Sequence, residues 1–205
     1  MAPQDHDPLE LGRIYVAPPD RHLLVTQGYL RVIQGPKENR HRPAIDPLFR
    51  SAAWVYGPRV VGVVLSGMLD DGTAGLWAIK TCGGVAVVQD PDDALYPGMP
   101  VSALRNITVD HCLPLDQIPA LLTTLTRQPA KNSREYPVPE TIKTETKFVM
   151  MGQDMKDMDK LDTPSAITCP ACHGCMWELR DGELMRYRCH VGYAYSVDSL
   201  VGGWL

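Results

Sequence analysis

The 205-residue sequence carries 20 Lys and Arg against 24 Asp and Glu, a net charge of −4. That length suits one medium domain plus a small appendage, and the charge balance leaves no basic footprint, so no nucleic-acid partner is expected. The opening Met-Ala-Pro-Gln-Asp-His-Asp-Pro lacks the basic start and apolar stretch of a signal, and no run approaches the ~18 apolar residues of a membrane helix, so a cytoplasmic protein without membrane insertion is expected.

In chain order, Arg13-Ile-Tyr-Val-Ala17 reads as a short strand stopped by Pro18-Pro19. His22-Leu-Leu-Val-Thr-Gln and Leu30-Arg-Val-Ile-Gln, separated by Gly28-Tyr29, read as a hairpin. Residues 36–44 are polar and proline-flanked, hence a loop. Asp46-Pro47 then predicts an N-cap and a first-turn proline for a helix carrying Leu48, Phe49, Ala52, Ala53 and Tyr56. Residues 60–65 form an apolar, β-branched block that predicts a parallel strand buried on both faces. A helix follows over residues 73–82 with Gly83-Gly84 as its stop, then a strand over 85–89 and a helix over 115–127. Alternation of strand and helix predicts an α/β sheet with right-handed crossovers.

Beyond Arg127 the composition turns to Pro, Lys, Glu, Thr, Asp and Met, which predicts a linker over 128–165 with one exposed helical turn near Phe148 to Met158. Four of the six cysteines then fall within residues 169–189, while Cys82 and Cys112 lie far from them. Clustering of this kind in a reducing compartment points to metal rather than disulfides. The Cys169-Pro-Ala-Cys172 knuckle with the later Cys189 and His190 suits tetrahedral zinc, because thiolate and imidazole are its preferred ligands. The alternative reading makes these thiols small core residues of a hairpin around Trp177 and Tyr187. His173 and Cys175 are other candidates for the fourth ligand. Residues 166–198 form this ribbon-like module, and 199–205 read as the start of a truncated helix.

The apolar block at 60–65 runs into Ser66-Gly-Met-Leu-Asp-Asp-Gly72, placing two carboxylates at the carboxyl end of a parallel strand, where functional groups collect in α/β sheets. The bland reading is that one acid caps the helix starting at Thr73, with Gly72 supplying an unusual backbone angle. Of the other polar candidates, a lone loop histidine such as His22 or His41 is more often structural than catalytic. His111 reads as part of a surface turn. Ser51 and Ser66 have no evident base beside them.

Four blocks occur in order: Arg13-Ile-Tyr-Val-Ala-Pro-Pro-Asp-Arg-His-Leu-Leu24, His41-Arg-Pro-Ala-Ile-Asp-Pro-Leu-Phe-Arg-Ser-Ala-Ala53, Leu65-Ser-Gly-Met-Leu-Asp-Asp-Gly-Thr-Ala-Gly75, and Val88-Gln-Asp-Pro91 with Tyr96-Pro-Gly-Met-Pro100. Together they closely resemble the CheB-type protein-glutamate methylesterases of bacterial chemotaxis over residues 8–127. The resemblance implies a domain at 1–127 and a three-layer α/β/α parallel sheet, N-terminally truncated, followed by the small β-rich ribbon. It also implies a Ser-His-Asp triad that hydrolyses glutamate γ-methyl esters on chemoreceptors or related signalling proteins, releasing methanol without a cofactor. Asp71 matches the triad acid, Asp70 is its solvated neighbour, and Gly67 and Met68 match the turn that helps receive the oxyanion.

The family's glycine-rich Ser-Ala-Gly-Gly turn and the histidine after its next strand have no counterpart in this sequence. The matching part is therefore expected to start inside the catalytic domain, leaving a truncated sheet edge through which copies associate. The cysteine block also resembles a ribbon appended to some CheB-type proteins, with Tyr193 standing where that ribbon has its histidine. Alongside a methylesterase or a fragment of one stands a second expectation, a catalytically inactive interaction protein of the same descent.

Overall fold

The computed structural model describes residues 2–151, 163–182 and 184–201. β1 (His22–Val25) and β2 (Leu30–Ile33) pair antiparallel, with Gly28 at φ 87° between them, a conformation that costs glycine nothing. α1 (Ile45–Tyr56) presents two stripes. Leu48, Ala52 and Tyr56, one turn apart, pack on Leu23, Val25 and Leu30 of the hairpin, while Phe49 and Ala53 face the larger core around Leu76 and Ile79. One helix thus ties the hairpin to the sheet.

The sheet follows from the alternation of apolar blocks and helices. β3 (Val61–Val64), α2 (Thr73–Thr81), β4 (Val85–Gln89), α3 (Gly98–Asn106), β5 (His111–Leu113) and α4 (Ile118–Leu125) succeed one another along the chain. The strands lie in the order β3-β4-β5, all parallel, with Val61 opposite Val85 and Val87 opposite His111. The expected parallel α/β fold is present. Val64, Leu76, Ile79 and Val88 are sealed from solvent, each side chain contributing about 1.5–3 kcal/mol. Gly75 lets α2 approach α1 closely, for a Cβ there would meet Phe49 and Asp46. No helix among the described residues is long and apolar enough to cross a membrane.

Several local expectations are corrected. Residues 13–17 form no strand: Ile14 and Val16 are 81% and 57% exposed, and only Tyr15 and Ala17 pack on the hairpin. His111 belongs to β5 rather than a surface turn, because Asp110 joins the sheet's edge through its N–H on Ala86 O and its carboxylate on the Ala86 N–H. α3 was not foreseen. The largest correction lies in residues 128–165, read as linker, which contain α5 (Glu140–Met151) with Ile142, Glu145, Thr146, Phe148 and Val149 buried. The exposed turn expected near Phe148 is an inward-facing helix as far as Met151, and the rest of that expected stretch, residues 152–158, lies outside the described residues.

The C-terminal module is a four-stranded antiparallel sheet in chain order, β6 (Pro164–Thr168), β7 (Cys175–Asp181), β8 (Leu184–Cys189) and β9 (Ala194–Ser196). α6 (Val197–Val201) starts two residues before the expected position, capped by Ser196, whose Oγ accepts the Ser199 N–H at 2.9 Å. The module is joined to the α/β part by buried charge. Glu145 on α5 receives Arg186 and Arg188 of β8, and Glu38 in the loop after β2 receives Arg50 of α1 and Arg188, at 2.6–3.1 Å. All five side chains are at most 4% exposed.

Candidate active site at the strand end

Where β3 ends, the amino termini of α1 and α2 converge, and each is capped by a carboxylate from the other's side. Asp71, just ahead of α2, accepts the Ile45 N–H at 2.8 Å and the Asp46 N–H at 3.4 Å. Asp46, inside the first turn of α1, accepts the Gly75 N–H at 2.7 Å. Asp46 is therefore not the N-cap of its own helix; Ala44 holds that position with no side-chain bond, because Asp71 satisfies the free amides from outside. Nor does Asp71 cap α2, whose N-cap is Gly72 at φ 92°, the unusual angle expected of it. The amide of Asn39 joins the pair, donating to Asp46 at 2.8 Å and Asp71 at 3.2 Å.

Burial raises the Asp71 carboxyl to about 6, against the pull of the Ile45 N–H and the Asn39 amide. Burial and the nearby Asp71 raise Asp46 to about 7. Asp70, expected in solvent, is 4% exposed, and its Oδ1 has no hydrogen-bond partner among the described residues. Burial, with Asp46 and then Asp198 of α6 adding to it, raises Asp70 to about 7. The charges under the C-terminal module behave oppositely: burial would raise Glu38, but Arg188 and Arg50 outweigh it and hold it near 2, and three guanidiniums hold Glu145 well below its ordinary range.

The sign of each shift fixes a stability profile. The folded state keeps protons on the three aspartates that the unfolded chain releases, so stability should fall as pH rises from about 4 to about 7. Glu38 and Glu145 stabilise the fold fully above about 4.5 and lose that contribution as pH falls toward 2. Urea midpoints measured from pH 3 to 8 should peak at roughly pH 4 to 5. A midpoint rising steadily from pH 5 to 8 would contradict this electrostatic picture.

The turn ahead of the acids is clamped from α3. Gly67 donates to Tyr96 O at 2.8 Å and accepts the Met99 N–H at 2.9 Å. Gly98 permits the contact, since a Cβ there would lie 2.9 Å from Leu69 N and 3.1 Å from Gly67 O. Met68 stands out at 69% exposure, and its N–H donates to none of the described residues. Ser66 is consumed by this clamp: its Oγ accepts the Tyr96 N–H at 2.9 Å and its N–H donates to Gln89 Oε1 at 2.8 Å.

The other sequence candidates have structural work. His22 is fully buried, with Nε2 at 2.8 Å from Pro36 O and Nδ1 accepting the Ala44 N–H, and burial lowers its pKa. Ser51 Oγ accepts the Val25 N–H and donates to Leu48 O, while His41 is exposed. Sequence reasoning missed Asn39. No local periodicity marks it, and its role depends on acids 7 and 32 residues away.

In the C-terminal module Cys169, Cys172 and Cys189 bring their sulfurs within 4.8 Å of one another, with Cys172 and Cys189 3.6 Å apart. His190 is not gathered with them. It follows β8 in a turn, where its ring lies over Gly174 and its Nδ1 is buried without a partner among the described residues. Cys175 is exposed at the start of β7. Three thiols in this arrangement fit the soft-donor face of a structural zinc site, and the described residues supply no fourth ligand at comparable distance.

A family model described as CheB methylesterase matches residues 1–122. Two relatives are named protein-glutamate methylesterase/protein-glutamine glutaminase 2. That of Anaeromyxobacter dehalogenans is 44% identical over 121 residues, covering 59% of this chain and 36% of the relative. That of Rhizobium johnstonii is 42% identical over 118 residues, covering 56% and 32%. The chain thus spans about a third of the length of the curated relatives it matches. Among solved structures, the Thermotoga maritima CheB methylesterase catalytic domain superposes with a TM-score of 0.59 at 31% identity, over 60% of this chain and 68% of that one.

Proposed function

The chain belongs to the CheB methylesterase family, and from that premise we propose that it carries the acid-bearing part of a protein-glutamate methylesterase. The reaction is hydrolysis of glutamate γ-methyl esters on methylated chemoreceptors or related signalling proteins, with release of methanol. One observation carries the reading: Asp71, the residue matching the family's acid, is immobilised at the strand end by two backbone amides and one side-chain amide. A carboxylate so held accepts an imidazole N–H, fixes the tautomer and stabilises the imidazolium formed as a serine is deprotonated. The Met68 amide, in a turn clamped through Gly67, suits the developing oxyanion. This chemistry needs no cofactor.

The second reading, a catalytically silent binding protein, draws on the C-terminal module beside the acids, where Ala194 and Ser199 bond to Asn39. Two measurements separate them. An in-frame serine turn and histidine in the coding DNA upstream of Met1 would favour the esterase, and a stop codon there the silent protein. Methanol release from methylated receptor, compared with an Asp71→Ala variant, should be lost in the variant; equal nonzero rates would remove Asp71 from the mechanism.

In the C-terminal module Cys169, Cys172 and Cys189 would hold a structural zinc, stabilising a sheet too small to rely on its own core. Elemental analysis of purified protein should find close to one zinc per chain, and Cys169→Ser should lower that content. Metal-free unsubstituted protein would leave the thiols as packing residues only.

A further inference from the structure

Asn39 stands where the strand-end acids meet the C-terminal module. It is 4% exposed and adopts φ 48°, a left-handed conformation that asparagine tolerates better than most residues. Its Nδ2 faces Asp46 Oδ2 at 2.8 Å and Asp71 Oδ1 at 3.2 Å, so both amide hydrogens go to the two carboxylates that cap the helices. The opposite amide orientation would set an oxygen against two acids, so the neighbours themselves decide which way the group points. Its other contacts come from the far end of the chain: the Asn39 N–H donates to Ala194 O of β9 at 2.8 Å, and Oδ1 accepts from Ser199 Oγ of α6 at 3.4 Å.

We propose that Asn39 is a positioning residue for Asp71: its amide fixes the carboxylate between the two helix termini, and β9 and α6 hold Asn39 in the backbone conformation this requires. The proposal rests on the reading of Asp71 as the triad acid. Without the amide, Asp71 and Asp46 would face each other with only helix-terminal N–H groups to offset their repulsion. The other charges around them are of both signs: Asp70 in the turn, Asp198 on α6, Glu38 in the loop, and Arg50 on α1. A donor shared between the two acids adds to the helix-terminal amides a contact that bridges both carboxylates. The C-terminal module then reaches the Asp71 carboxylate through the Asn39 side chain.

The test reads Asp71 directly. In full-chain protein labelled with ¹³C at aspartate carboxyls, Asn39→Gly keeps the left-handed backbone and removes the amide, and the Asp71 titration midpoint should rise by about one unit. Asn39→Asp, which replaces the donor with a third carboxylate, should raise it further. Under the esterase reading, Asn39→Gly should lower kcat about tenfold or more at nearly constant KM, the pattern of lost orientation rather than lost binding. An unchanged Asp71 midpoint in folded Asn39→Gly protein overturns the proposal. Should that variant not fold, Ser199→Ala loosens the amide from its other side and should move the midpoint the same way; a midpoint identical to the unsubstituted protein's then overturns it. If no version releases methanol, the esterase reading is what fails, and the titration still decides the role of Asn39.

Discussion

Under the esterase reading, replacing Asp71 with asparagine should lower methanol release by about 10³–10⁴-fold while the protein remains folded. The substitution preserves shape and one acceptor oxygen, so the Ile45 and Asp46 amides keep part of their cap at a stability cost of about 1 kcal/mol. What is lost is the negative charge that stabilises an imidazolium and the acceptor that selects its tautomer. Asp70→Asn is the informative companion. Asp70 is buried with its carboxyl raised to about 7, so asparagine resembles its protonated form, and this variant should gain stability near neutral pH with little change in rate. If instead Asp70→Asn abolished turnover and Asp71→Asn did not, the acid would be the wrong member of the pair.

Glu145→Ala should destabilise the protein by about 3–5 kcal/mol, seen as a lowered urea midpoint. Glu145 takes the guanidinium of Arg186 and, with Glu38, that of Arg188, and Arg50 lies within 4.0 Å. Without it, the guanidiniums of Arg186 and Arg188 lose the buried carboxylate they bond, and the cost is that of charge stranded away from water. Glu140→Ala, on the exposed start of the same helix and paired with Lys143, should barely move the midpoint. The slope of the transition adds a second reading. A reduced slope would show the C-terminal module separating before the α/β part unfolds, whereas an unchanged slope would show a single cooperative unit.

These two sites differ in how much of them the sequence reveals. The parallel strands are legible because residues 60–65 and 85–88 are apolar throughout, and the end of α2 is legible from Gly83. Asp71 is legible through its motif. α5 is hidden because its inward face runs Ile142, Glu145, Thr146, Phe148 and Val149, so two polar residues interrupt the apolar stripe that marks a buried helix. Thr146 is satisfied locally by Ile142 O, but Glu145 makes sense inside only once Arg186 and Arg188, some 41 and 43 positions later, are brought beside it. Asp46 misleads for the opposite reason: a local rule assigns it to its own helix, and the fold assigns it to the next one. Three of the thiols follow from their spacing, but His190 does not join them, because it falls in the turn after β8 with its ring over Gly174, a placement that ligand spacing alone does not convey.

The exchange of caps between α1 and α2 makes each helix depend on the other. Each helix begins with amides that its own sequence leaves open, and the carboxylates that close them stand 25 to 29 residues apart along the chain from their donors. A segment carrying either helix alone lacks the carboxylate that closes its terminus, a loss of about 1 kcal/mol, so each helix should be weaker in isolation than in the fold. The contacts that complete the two helix termini are the ones that hold Asp71, so the acid's placement and the helix caps stand or fall together.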